Sequence, residues 1–147
     1  MQREELAAWL RLALTPGVGN VGARHLLAAF GLPQAIFTQD TEALRQVVSA
    51  APAAALRQEP EGFAEQLERT ARWLAEDPAQ RGVLTLGDAD YPTALLQTQD
   101  PPLLLYRLGR ADPIPALAVA VVGSRNPTPQ GLQNARRFGR AFGEAGV

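Results

Sequence analysis

The spacing of apolar side chains predicts helices in the first half of the chain and short strands after it. Apolar residues recur every three or four positions over residues 3–14, and Thr15-Pro16-Gly17 then ends that helix. The next helix has Asn20 as its predicted N-cap and Gly31 at the position of a C′ glycine. Further helices, divided by prolines, are expected over residues 34–37, 42–48, 53–57 and 61–75.

From Val83 onward the pattern changes to short apolar runs. They cover residues 83–86, 103–108 and 117–122. The last run is rich in valine, which is typical of a parallel strand buried on both faces. One more helix is expected from Pro129 to about Ala145, with a packing face made of Leu132, Ala135, Phe138, Gly139 and Phe142. A crossover helix needs a second parallel strand after it, so we expect a truncated part of a longer protein.

Composition excludes several kinds of chemistry. The chain has 147 residues with no cysteine and one histidine, His25, which rules out disulfides, thiolate catalysis and the usual zinc sites. We therefore expect no bound metal. The net charge of -1 gives no overall attraction to nucleic acid, so binding of a polyanion would depend on a local basic patch. No apolar stretch approaches the ~20 residues of a membrane span, and we expect a cytoplasmic protein without a membrane partner.

The strongest chemical signal is Gly123-Ser124-Arg125, directly after the valine-rich run. The glycine lets the backbone approach a ligand, and Arg125 can hold a phosphate through two parallel hydrogen bonds. Ser124 adds a hydroxyl donor, and Thr128 is expected to cap the helix that starts at Pro129. The pattern predicts a phosphate site at Gly123, Ser124 and Arg125. The alternative is a tight connection whose arginines are merely solvated.

The helix after this turn supplies further candidates. Arg136, Arg137 and Arg140 lie mostly away from its apolar face and would form a basic surface next to the turn. They are candidate secondary DNA contacts. Neither G-x-G-x-x-G nor the lysine-containing Walker A pattern is present, so a conventional NAD or ATP site is disfavoured and we expect no cofactor.

A second glycine turn, Pro16-Gly17-Val18-Gly19, joins the first two helices. It resembles a helix-hairpin-helix motif, whose backbone N–H groups can bind a DNA phosphate without regard to base sequence. Gly17, Gly19 and Arg24 are therefore candidate DNA contacts as well. The alternative is structural: the glycines let two helices pack closely, and His25 lies on the surface.

Four other residues could carry chemistry but are expected to be structural. Asp88 and Asp90 stand next to Tyr91-Pro92 and are expected to shape a turn rather than act as an acid–base pair. Trp9 and Trp73 lie at helix-core spacing and are expected to pack rather than stack on bases.

The order of these features closely resembles the DNA processing protein A family, DprA or Smf. The P-G-V-G module, Tyr91-Pro92 and Asp100-Pro101-Pro102 contribute, and the segment from Val119 to Pro129 with its Gly-Ser-Arg is the most specific part. The resemblance covers essentially the whole chain. It implies an α+β and α/β architecture: a sterile-alpha-motif-like (SAM-like) helical domain over residues 1–78, and over 79–147 the beginning of an extended Rossmann-like domain with a parallel sheet.

The resemblance also implies a function. Family members bind incoming single-stranded DNA in natural transformation, protect it, help load the RecA recombinase and form homodimers; they are regarded as binding proteins rather than enzymes. Gly123, Ser124 and Arg125 would lie in the phosphate-binding pocket of the Rossmann domain, and no catalytic residue is expected. Two alternatives stay open: a nucleotide-processing enzyme on a related Rossmann fold, and a protein-interaction module formed by residues 1–76.

Overall fold

A computed structural model describes residues 1–109 and 119–146, which fall into two compact units, Met1–Ala111 and Asp112–Val147. The helices are α1 (Arg3–Leu14), α2 (Gly19–Phe30), α3 (Pro33–Thr38), α4 (Thr41–Arg45), α5 (Ala50–Ala55), α6 (Phe63–Glu76), α7 (Thr93–Leu96) and α8 (Pro129–Glu144). The strands are β1 (Arg81–Thr85) and β2 (Leu104–Leu108). The fold is thus mixed α and β. Within the described ranges, no helix is both long enough and apolar enough to cross a membrane.

Each helix predicted from the apolar spacing is present, and only its ends differ. Gly31 follows α2 with a positive φ of 84°, as expected for a glycine at a helix C-terminus. The predicted N-cap of this helix was wrong: α2 already begins at Gly19, after Val18, and no side chain caps it. Asn20 lies inside the first turn, where its amide donates to Asp100 instead. A tertiary contact therefore replaces the expected local one.

The core of the first unit joins the helices to the strands. Its larger cluster is built from buried side chains of α1 to α5, of the residues that flank them and of the segment before β2: Leu12, Val18, Ala23, Leu26, Ile36, Leu44, Ala53, Leu56 and Leu103. A second cluster of Leu6, Leu10 and Phe63 packs α1 against α6, and Val83 and Leu104 extend it onto the strands. Because both strands bury side chains against helices, residues beyond 78 belong to the same compact unit as the helices.

The two strands form a small sheet. Their register pairs Arg81 with Leu108 and Thr85 with Leu104, and they run antiparallel. The runs predicted over 83–86 and 103–108 are therefore strands, and their antiparallel pairing was not predicted from the sequence. In the described part of the chain no parallel pair is present. The sequence of a strand does not state its direction, which depends on how the connecting segment returns.

The predicted strand over residues 117–122 did not form where the structure describes it. Residues 117 and 118 lie outside the described residues, and 119–122 have no strand conformation. Val119, Val121 and Val122 are exposed, Val122 to 90%. A strand is stabilised by hydrogen bonds to a neighbouring strand, and among residues 119–146 there is none to pair with. An apolar β-branched run alone does not supply those bonds.

Candidate nucleic-acid interface

The N-terminus of α8 is built as the sequence predicted. Thr128 is the N-cap, and its Oγ1 accepts a hydrogen bond from the backbone N–H of Gly131 over 3.1 Å. Pro129 occupies the first helical position. A Cβ at position 131 would lie 3.3 Å from that Oγ1, so glycine leaves room for the cap. The cap and the proline therefore fix the residue at which α8 begins, shortly after Gly123, Ser124 and Arg125.

This same cap reduces the number of amides that the helix end offers to an anion. Pro129 has no N–H, and the N–H of Gly131 is used by Thr128. Within the described residues, the N–H of Gln130 is the first-turn amide of α8 that has no acceptor. The helix end alone therefore makes a weak anion site, and side-chain donors must supply most of the attraction.

Gly123, Ser124 and Arg125 lie on the surface in the turn that leads to α8. The hydroxyl of Ser124 lies 3.2 Å from both the backbone N–H and the carbonyl oxygen of Asn126, an arrangement that closes the turn locally. The Asn126 N–H donates to the Ser124 oxygen, and the Ser124 hydroxyl donates to the Asn126 carbonyl oxygen, so the hydroxyl must leave that carbonyl before it can donate to a ligand. Among the described residues, none has an atom within 4 Å of where a Cβ at position 123 would lie, so on that side the Gly123 backbone is open.

Arg125 supplies the positive charge of this turn. Its side chain is exposed, and in the described parts of the chain it takes part in no ion pair. Over residues 119–146 the sequence has four arginines and one carboxylate, Glu144. The segment is therefore locally basic although the whole chain carries a net charge of -1.

The other arginines of this segment lie further along α8. Arg136, Arg137 and Arg140 are exposed, and at 1.5 Å per residue they lie about 10 to 17 Å along the helix axis from Pro129. That separation is too large for them to share one phosphate with Arg125.

The opposite face of α8 is apolar. Leu132 is 45% and Phe138 57% exposed, and the ring of Phe138 stacks on that of Phe142 with 6.1 Å between centroids. The predicted packing face therefore exists as a stripe, but within the described residues it is largely uncovered.

The glycine turn between α1 and α2 has the backbone conformation that requires glycine. Gly17 has φ +77° and Gly19 has φ +60°, a region that residues with a Cβ rarely adopt. Both lie on the surface, and their positive φ accounts for glycine at these two positions. His25 lies on the surface, as the structural alternative expected.

Arg24 is already engaged in this structure. Its Nη1 donates to Oδ1 of Asp100 over 2.9 Å, and its Nη2 donates to the carbonyl oxygen of Gln99 over 3.3 Å. Arg24 is therefore not a freely available phosphate ligand in the way that Arg125 is. The sequence missed this pair because 76 positions separate the two residues, and no local pattern links them.

The remaining candidates have structural roles. Asp88 accepts a hydrogen bond from the backbone N–H of Thr85, which closes the turn after β1. Trp9 is 3% exposed and belongs to the interior. Trp73 packs edge-on against Tyr106 with 5.6 Å between ring centroids. The predictions of a turn and of packing were correct for these three residues.

Comparison with known proteins shows which family the sequence of this chain resembles. Residues 82–147 match the family model described as DNA recombination-mediator protein A. The chain is also 30% identical to Protein Smf of Synechocystis sp. in an alignment that takes in 99% of this chain. The chain is thus similar to the DNA recombination-mediator protein A family, most clearly over residues 82–147. It spans 37% of the length of that relative. No solved structure matches the chain significantly. The family match includes the turn of Gly123, Ser124 and Arg125 as well as α8.

Proposed function

We propose that this chain binds single-stranded DNA without base specificity, and that Arg125 holds a backbone phosphate while Ser124 donates to it and Gly123 leaves the backbone open. The observation that carries the proposal is the locally basic, exposed segment around Arg125. It lies within the part of the chain that matches the recombination-mediator family. Contacts of this kind fix a strand in place but do not distinguish bases.

Arg136, Arg137 and Arg140 are proposed as secondary contacts along the strand. Arg136 and Arg140 lie one helical turn, about 6 Å, apart along α8, and the charge of the three arginines is opposed on that helix by Glu144 alone. Gly17, Gly19 and Arg24 are proposed as a separate secondary contact at the first glycine turn. Arg24 can serve there only when it leaves Asp100.

The similarity to the recombination-mediator family supports a wider proposal for the whole protein. We infer that it acts in the cytoplasm during natural transformation, as a homodimer that protects incoming single-stranded DNA and helps load RecA. We also infer a binding role rather than an enzymatic one. In this scheme residues 1–78 form the SAM-like domain, and residues 79–147 begin the extended Rossmann-like domain.

The test is fluorescence anisotropy of a labelled oligo-dT with the parent chain and with Arg125→Ala. Loss of a charged hydrogen bond to phosphate is expected to weaken binding by about tenfold or more. Arg72→Ala is the matched control because Arg72 is exposed on α6 and, within the described residues, makes no ion pair. It removes the same charge away from the proposed interface.

Duplex DNA of the same length serves as competitor. Weaker binding of Arg125→Ala than of Arg72→Ala, with preference for the single strand, would support the proposal. Equal affinity of the two variants would show that Arg125 contributes only general charge, and it would overturn the proposed phosphate site at Arg125. Equal affinity for single and double strands would overturn the proposed preference for single-stranded DNA.

A further inference from the structure

Two donors of α2 hold one carboxylate from a distant part of the chain. Arg24 Nη1 donates to Oδ1 of Asp100 over 2.9 Å, and Asn20 Nδ2 donates to Oδ2 over 3.1 Å. Each oxygen of the anion thus has its own donor. Asn20 and Arg24 are four residues apart on a helix, so their side chains project from the same face.

We propose that Asn20 and Arg24 form an anion site whose resident anion is the carboxylate of Asp100, and that a phosphodiester of DNA competes with Asp100 for it. A phosphodiester carries one negative charge shared by two non-bridging oxygens, as a carboxylate does, so the same two donors can bind either group. Asp100 acts as a latch that keeps this second DNA contact closed. The ligand in this inference rests on the proposed function.

The surroundings of the pair suit an incoming phosphate. α2 contains no acidic residue, so an anion that displaces Asp100 meets no fixed negative charge on that helix. The first turn of α2 has no side-chain cap, and the positive end of the helix dipole adds to the attraction. When the Asp100 side chain moves away, the donors of Asn20 and Arg24 stay on α2.

The latch can open without unfolding the segment that carries it. The hydroxyl of Tyr91 donates to the carbonyl oxygen of Pro102 over 2.7 Å, and Leu103 lies in the main core. These contacts hold in place the backbone that follows Asp100. The side chains of Arg24 and Asp100 are 26% and 53% exposed, so water and salt reach the pair and its strength is modest.

The experiment replaces the carboxylate with its neutral isostere in the full 147-residue chain. Asp100→Asn is expected to bind oligo-dT about two- to fivefold more tightly at low salt, the range that corresponds to a partly exposed ion pair. Asp90→Asn is the matched control, because Asp90 is exposed and this substitution removes the same charge at a different position. The gain of Asp100→Asn over Asp90→Asn should vanish when Arg24→Gln is added.

A second readout separates this inference from the proposed function. In ¹⁵N-labelled protein, inorganic phosphate should shift the side-chain amide of Asn20 at lower concentration in Asp100→Asn than in Asp90→Asn. If Arg125→Ala binds oligo-dT as tightly as the parent chain, the proposed function fails, and this phosphate titration still tests whether Asp100 competes with phosphate. A gain in DNA affinity that survives Arg24→Gln, or equal phosphate titrations of the two variants, would overturn the latch. Circular dichroism checks that each variant is folded.

Discussion

Tyr91 joins two segments that the sequence treats as separate turns. Its side chain is 3% exposed, and its hydroxyl donates to the carbonyl oxygen of Pro102. Next to that proline, Leu103 enters the core. Tyr91 therefore anchors the Asp100 segment to the turn after β1. Burial raises the pKa of the Tyr91 hydroxyl, because the phenolate would lose its hydration.

At this position, Tyr91→Phe keeps the ring in the interior but leaves the Pro102 carbonyl without its donor. We expect the free energy of unfolding to fall by about 1 kcal/mol, the usual net value of such a bond. Tyr91→Ala, which also removes the buried ring, should cost about 3 to 5 kcal/mol. Urea denaturation measures both. If Tyr91→Phe unfolds at the same urea concentration as the parent, the hydrogen bond contributes no net stability.

The raised pKa predicts a dependence of stability on alkaline pH. The unfolded chain loses the Tyr91 proton near pH 10, whereas the folded protein keeps it to higher pH. The folded state then binds more protons, so the free energy of unfolding falls as pH rises above about 10. The chain contains no lysine, which removes the other common group that titrates there. Urea titrations between pH 9 and 11 should show a smaller fall for Tyr91→Phe than for the parent.

Among the elements, α8 shows local sequence deciding local structure. A threonine cap, a proline at the first position and a glycine that makes room for the cap lie within four consecutive residues. The valine run before it shows the opposite case. Residues 119–122 have strand-forming side chains but no strand conformation, because strand hydrogen bonds must come from another segment.

The cap of α8 provides a test at the scale of the element. Thr128→Ala should destabilise the first turn of α8 by about 1 kcal/mol, and amide exchange of Gly131 should become faster. Thr128→Ser should retain most of the protection because it keeps the hydroxyl. Ser49→Ala is the control: Ser49 precedes α5 at the N-cap position without making a cap hydrogen bond. Equal exchange in all variants would mean that the cap does not stabilise the helix.

For the molecule as a whole, the proposed interface predicts how DNA binding responds to salt. The logarithm of the affinity for oligo-dT should fall with the logarithm of salt concentration with a slope of about -0.7 for each phosphate neutralised. Four contacts, by Arg125, Arg136, Arg137 and Arg140, give a slope of about -3. Arg137→Gln should make the slope shallower by about 0.7, whereas Arg72→Gln should leave it unchanged. Anisotropy titrations at several KCl concentrations measure the slope. Identical slopes for the two variants would exclude phosphate contacts along α8.

The candidate site was predictable from sequence only in its local parts. Thr128, Pro129 and the exposed Arg125 could be placed because each depends on residues a few positions away. The state of Arg24 could not be predicted, since its partner Asp100 is far along the chain. The same reason explains Asn20, which the local pattern made an N-cap and the fold made a donor to Asp100.

Apart from α7, which the apolar spacing did not predict, the sequence by itself determined where the described helices lie, which face of the longer helices is apolar, and which turns require glycine, because these features depend on side-chain periodicity and on local backbone sterics. Only the tertiary structure decided that β1 and β2 run antiparallel and that Leu103 joins the helical core. It also decided that the carboxylate of Asp100 binds Arg24. Each of these outcomes is a contact between residues distant in sequence, and such contacts form only when the whole chain brings their partners together.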